Sequence, residues 1–267
     1  MAKVDTKTSQ VINLLRLPLA FLIVAGHANT LKFPLGAADG NLVVYDIDFI
    51  KYPIHLMSDT LFGPAVPLFF MISGFLFFAG QNEYDVTTYK QKMLRKAETL
   101  LIPYLIWNIV YLMPTLVTTL MGKHDYGVWY FVSSLWIDPN QYDRITEMTM
   151  ATPADPPLWF IRDLMVCMVL SPVVWFVVRH KWTCIVVLSL SALPYMLCMP
   201  YQYPFPGISV PSILFFSLGS AIAVWKIDMA RWLNNTNLSW ILIGVYAVLA
   251  VMVLSQVDYS SQQLMIE

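Results

Sequence analysis

Residues 11–31 read VINLLRLPLAFLIVAGHANTL, and only Arg16 and His27 among them carry ionisable side chains. An α-helix needs about twenty predominantly apolar residues to cross a hydrocarbon core of about 30 Å. The run lacks a small-residue cleavage site, so it reads as a retained span rather than a removable signal. The rest of the chain has the same character. Of its 267 residues, 58% are hydrophobic and only 12% are charged, with mean hydropathy +0.61. A soluble domain carries about 25% charged residues, so lipid must be the solvent for most of this surface. A formal net charge of −1 argues against nucleic acid as a partner. Cys167, Cys184 and Cys198 all fall in apolar runs. They read as small buried hydrophobes rather than as disulfides, metal ligands or nucleophiles, and no metal is expected.

Working outward, further apolar segments occur at 61–80, 99–122, 158–178, 183–199, 208–225 and 238–256. The expected fold is an all-α integral membrane protein, a polytopic bundle of about seven transmembrane helices. Orientation follows the positive charges. With the N-terminus inside, the inner ends and loops hold eleven: Lys3, Lys7, Arg16, Lys90, Lys92, Arg95, Lys96, Arg179, Lys181, Lys226 and Arg231. The outer loops, 32–60 and 123–157 among them, hold Lys32, Lys51, Lys123 and Arg144 together with most of the acids. A cytoplasmic N-terminus is therefore expected.

An ionisable group inside a span costs at least a few kcal/mol, which makes each one a candidate for function. Arg16 and His27 are eleven residues apart, which is about three turns plus 20°. They share one face, about 16 Å apart along the axis. Arg16 also fits an interfacial anchor, and His27 a hydrogen-bonded structural histidine. Ser73-Gly74, inside VPLFFMISGFL (66–76), lets a neighbouring backbone approach closely, and helix packing is its simpler explanation. Lys90, Lys92, Arg95 and Lys96 precede Ile102-Pro103-Tyr104. A positive-inside anchor is their default reading, and a site for the phosphates of a nucleotide cofactor is the functional alternative. In PLWFIRDL (157–164), Trp159 suits an interfacial belt. Arg162 and Asp163 project about 100° apart. A mutual, face-matched pair is therefore not expected, and each should meet another helix or line a polar cavity.

An arginine, ten intervening residues and then a histidine in the first helix resemble the defining feature of acyltransferase family 3. PLFFMISGFL (67–76) is similar to that family's FF-x-I-S-G-F segment. The basic stretch into Ile102-Pro103-Tyr104, and LWFIRDL (158–164), continue the likeness in the same order over about residues 11–170. Two departures stand out. The nearest equivalents of the family's R-x-x-R pair are Lys92 with Arg95, or Lys96 with Thr99. The family also has about ten helices, so residues 1–267 are expected to be one transmembrane domain, C-terminally incomplete. Serines 209, 212, 217 and 220, lying within an arc of about 140° on the sixth segment, are expected to face the missing helices.

The resemblance implies an enzyme of the bacterial inner membrane that transfers an acyl group, most commonly acetyl. The donor would be acyl-coenzyme A, and the acceptor a hydroxyl of a carbohydrate or lipid-linked sugar. It implies His27 as general base and Arg16 as catalytic and donor-binding. Lys92, Arg95 and Lys96 would hold the donor's phosphates. Trp159, Arg162, Asp163 and Ser73 fall to the acceptor side. A secondary transporter using the same Arg, His and Asp groups, or an inactive membrane scaffold, is the competing reading.

Overall fold

A computed structural model of the chain describes residues 65–138, 152–196 and 209–227, with isolated helical positions at 17–19, 21 and 240. Segments 11–31 and 238–256 otherwise lie outside the described residues, as do Arg16 and His27. The chain divides into two compact units, Met1–Lys3 with Phe70–Lys226 and Val4–Phe69 with Ile227–Glu267. Apart from those isolated positions, the described helices belong to the first unit, and only the opening residues of the helix Ala65–Phe78 lie in the second.

Every regular element among the described residues is helical. Helix α1 (Ala65–Phe78) ends where Gly80 takes a positive φ of 76°, a conformation that costs glycine little and stops a helix. Helix α2 (Val86–Lys96), a π turn (Ala97–Leu101) and helix α3 (Ile102–Leu120) form one continuous run. The π turn has a local cause. Pro103 has no N–H to close a turn onto Thr99, and the Ile102 N–H reaches five residues back to the Ala97 carbonyl.

The run Val86–Leu120 is 35 residues long, with mean hydropathy 1.8 over its apolar stretch. At 1.5 Å per residue it measures about 52 Å, longer than a bilayer core. Its excess is the polar α2, whose basic residues belong outside the hydrocarbon. Among the described residues this is the one helix long and apolar enough to cross a membrane. A second counts only if Pro156–Val169 and Ser171–Val178 form one span bent by 64°. The helices at Ala65–Phe78, Lys181–Leu193 and Val210–Val224 are apolar but shorter.

Two expectations change here. Within the stretch read as an outer loop over 123–157, residues 123–138 return along α3. A short turn leads into helix α4 (Val128–Ser134). At its far end the Leu135 carbonyl accepts the hydroxyl of Tyr104, in the first turn of α3. Helix α4 is therefore antiparallel to α3 and reaches back to that first turn. Seven residues are too few for a hydropathy window to register. The segment read as 158–178 is also broken: a 3₁₀ turn (Pro156–Leu158) leads into α5 (Trp159–Val169), and α6 (Ser171–Val178) departs at 64°. Pro172 removes one N–H, and its ring crowds the Met168 carbonyl, which accounts for the bend.

Helix α7 (Lys181–Met196) packs on α8 (Val210–Val224), and α8 also touches α5 and α6. Val178, Cys184 and Ala221 form a small core there, closed by Trp225, whose indole N–H donates to the Val178 carbonyl at 2.8 Å. Helices α1 and α8 cross at two glycines. A Cβ on Gly74 would strike the Phe216 carbonyl, and one on Gly219 would strike the Met71 carbonyl. Such contact needs both positions bare. Ser209, Ser212, Ser217 and Ser220 are all buried within this chain. The expectation that their face awaits further helices is thus corrected: it is already covered within this chain.

Candidate functional site

The basic end of the long helix is built from its own sequence. Asp85 caps α2, accepting the Thr87 and Thr88 N–H groups at 3.1 and 2.9 Å and the Thr88 hydroxyl at 2.6 Å. The Thr88 bonds, side chain first, hold the Asp85 carboxyl below its ordinary range. One to three turns along, the three cations divide. Half-buried Lys92 turns back to α1, donating to the Phe77 carbonyl with its ammonium 5.1 Å from the Phe77 ring. It thereby satisfies a carbonyl that the end of α1 leaves without an intrahelical donor. Arg95 and Lys96 are exposed. Tyr89 fixes this helix to α5 by donating to the Val169 carbonyl at 3.2 Å.

Further along the same run lies a buried polar cluster. Arg162 and Asp163 are wholly inaccessible and lie 3.2 Å apart. Arg162 donates from Nε and Nη2 to Asp163 Oδ1, and from Nη1 to the Trp136 carbonyl at 2.7 Å. The other Asp163 oxygen accepts the Ser209 N–H at 3.0 Å, just where α8 begins. Asn108, also fully buried, donates to the Tyr104 carbonyl at 2.9 Å and accepts the Asp155 N–H at 3.1 Å. Two backbone bonds join the limbs 134–138 and 152–155: Ala154 N–H to Ser134 O, 2.7 Å, and Asp138 N–H to Thr152 O, 2.9 Å. Buried polar atoms are costly unless paired. Here side chains from α3 and α5 pair with the main chain of two limbs and the start of α8.

Arg162 and Asp163 thus depart from the sequence expectation in one respect and meet it in another. They do pair with each other, because the long guanidinium arm spans the 100° that separates neighbours on a helix. Each also holds a partner elsewhere, at Trp136 and Ser209. Trp159 is buried at 7% exposure rather than lying in an open belt, and Ser73 is half-buried beside the Gly74 crossing. Between α3 and α4 lies a cavity of about 310 Å³ lined by Ile109, Leu112, Met113, Leu116, Val128, Phe131, Val132 and Leu135. None of its lining side chains is polar, so it offers no hydrogen bond to a sugar or a phosphate. Among the described residues, no three His, Cys, Asp or Glu side chains gather as a metal site.

Comparison with known proteins places the chain in a family. A family model described as an acyltransferase domain matches residues 10–265. The chain belongs to that acyltransferase family. The match takes in Arg16, His27, the α2 cations and the Arg162–Asp163 pair together. A curated relative is the succinoglycan biosynthesis protein ExoH of Rhizobium meliloti (strain 1021), 30% identical over 195 residues. That alignment covers 71% of this chain and 49% of ExoH, so the chain spans about half the length of that relative. No solved structure matches the chain.

Sequence reasoning missed Asn108 and Trp136. Asn108 stands alone among apolar residues in IPYLIWNIVYLMP (102–114), and that isolation was the available signal. Trp136 gave none, since its importance arises only from the return of α4 to the start of α3.

Proposed function

We propose that this protein transfers an acyl group, most simply acetyl, from acyl-coenzyme A to a hydroxyl of a surface polysaccharide, at the bacterial inner membrane. The match of the acyltransferase family over 10–265 carries the reading. The name of the succinoglycan biosynthesis relative supports a polysaccharide acceptor. In this reading His27 takes the proton from the acceptor hydroxyl, whose oxygen attacks the thioester carbonyl. The C–O bond forms, the C–S bond breaks, and the proton passes from His27 to the departing thiolate. A histidine, with an ordinary pKa of about 6.5, can do both at neutral pH.

The donor's phosphates are assigned to Arg95 and Lys96 at the basic end of the long helix, and the family resemblance adds Arg16 as a donor-binding residue. Both α2 cations are exposed, as a ligand from the aqueous side requires. Lys92 drops to a supporting part, because its ammonium is held on α1. The buried Arg162–Asp163 pair and Trp159 shape the acceptor side from beneath instead of touching sugar.

The test is release of coenzyme A from acetyl-CoA and from succinyl-CoA by purified protein in proteoliposomes supplied with polysaccharide fragments. Wild type should release it, and His27→Ala should not, at equal insertion and expression. Turnover by His27→Ala close to wild type would remove the base assignment. Uptake of a solute without any coenzyme A release would favour a transporter.

A further inference from the structure

The Arg162–Asp163 pair is spent on holding the main chain, so the acceptor needs some other surface. We propose that Trp136 is that surface: its ring is a stacking platform for a pyranose ring of the acceptor. Trp136 is 42% exposed, whereas its neighbour Ser134 and the groups beneath it, Tyr104, Asn108, Arg162 and Asp163, are buried. Its position is fixed twice by one residue. Arg162 Nη1 holds its carbonyl at 2.7 Å, and the guanidinium carbon lies 5.6 Å from the ring centroid. A cation over an aromatic ring holds that ring in place, and the buried Asp163 fixes the cation in turn.

An aromatic side chain held this way combines large apolar area with little remaining rotamer freedom. A pyranose presents a face of C–H groups that can lie on such a ring while its hydroxyls point to polar neighbours. Half-buried Asp138 stands on the same limb as Trp136 and half-buried Asp155 on the limb paired with it, tied by their N–H groups to Thr152 and Asn108. The simpler role for an exposed tryptophan is the interfacial belt. Trp129, 78% exposed at the other end of α4, suits that role. Trp136 sits instead at the first turn of α3, beside the buried cluster.

Naming the sugar as acceptor rests on the acyl-transfer reading; the platform itself is tested separately. Wild type, Trp136→Leu and Trp136→Phe are placed in nanodiscs free of sugar-based detergent. The probe is an oligosaccharide mixture cut from succinoglycan. In saturation-transfer NMR without any acyl-CoA, wild type and Trp136→Phe should transfer to sugar-ring protons, and Trp136→Leu should not. In turnover, Trp136→Leu should raise the acceptor KM about tenfold, with the acyl-CoA KM unchanged. Trp136→Phe should stay within about twofold of wild type, because an aromatic face remains. Equal saturation transfer in Trp136→Leu and wild type, or none to wild type, overturns the platform. So does a change in donor KM as large as the change in acceptor KM. Sugar binding without coenzyme A release would instead overturn the acyl-transfer reading and leave the platform standing.

Discussion

Two stretches of the Val86–Leu120 run, α2 and the first turns of α3, lie beside charged groups that are held in opposite ways. At the α2 end, Arg95 and Lys96 are exposed, and half-buried Lys92 is held by one main-chain carbonyl. Around the first turns of α3, Arg162 and Asp163 are fully buried, bonded to each other and to the main chain at Trp136 and Ser209. An ionisable residue in an apolar chain is therefore not automatically a ligand site. Burial with complete pairing marks a structural fastener, while exposure at an aqueous end leaves a charge available to a substrate. Four substitutions would erase or sharpen that distinction.

The largest effect is expected on the buried side. Asp163→Ala strands the Arg162 charge with no water to solvate it, and should cost about 3–5 kcal/mol. A thermal melt in detergent should drop accordingly, and the acyl-CoA affinity of any folded fraction should stay unchanged. A melt indistinguishable from wild type would mean the pair is not a fastener.

On the exposed side, Arg95→Ala should remove the proposed charge-assisted phosphate contact and cost about 1.5–3 kcal/mol of donor binding. Its melt should stay near wild type, which is the inverse of the Asp163 result. A correctly inserted Arg95→Ala protein with unaltered acyl-CoA affinity would reduce Arg95 to a topology anchor.

Gly74→Ala tests packing that neither cluster supplies. The added methyl meets the Phe216 carbonyl, and overpacking should cost about 1–3 kcal/mol in the same melt. A neutral result would mean the α1–α8 crossing is looser than the two glycines indicate.

The smallest effect separates neighbours on one helix. Lys92→Met keeps the aliphatic arm over Phe77 but loses the bond to its carbonyl, a change of about 1 kcal/mol in stability. Donor KM should not move. If Lys92→Met weakened acyl-CoA binding as much as Arg95→Ala, the split between the two cations would be wrong.

The elements that sequence exposes most clearly are those that long apolar runs define. Residues 99–122, read as a span, fall largely within the Val86–Leu120 helix, and 208–225 brackets Val210–Val224. The return of α4 was not legible, because VWYFVSS has seven residues and shows no period of its own. Pro172 advertised a bend at α5–α6, but membrane helices tolerate prolines, so the 64° could not be read from it. In the candidate site, Arg162 and Asp163 were visible as charges in an apolar run, and their separate partners were foreseeable. Their mutual bond was not, since helical angles describe Cβ directions and ignore the reach of an arginine. Asn108 stood out as an isolated polar residue, but its partner did not. Its importance comes from Asp155, 47 residues away in sequence.

The central claim is that an acyl group moves from coenzyme A to sugar at this membrane. Protein in proteoliposomes is given acetyl-CoA or succinyl-CoA labelled in the acyl group, with succinoglycan-derived oligosaccharides, and the sugars are analysed by mass spectrometry. The account predicts that label from at least one donor appears as an ester on the sugar, one coenzyme A being released per ester. It also predicts that neither event occurs with His27→Ala. Labelled donor recovered intact with both thioesters, by wild-type protein shown to be folded, would contradict it.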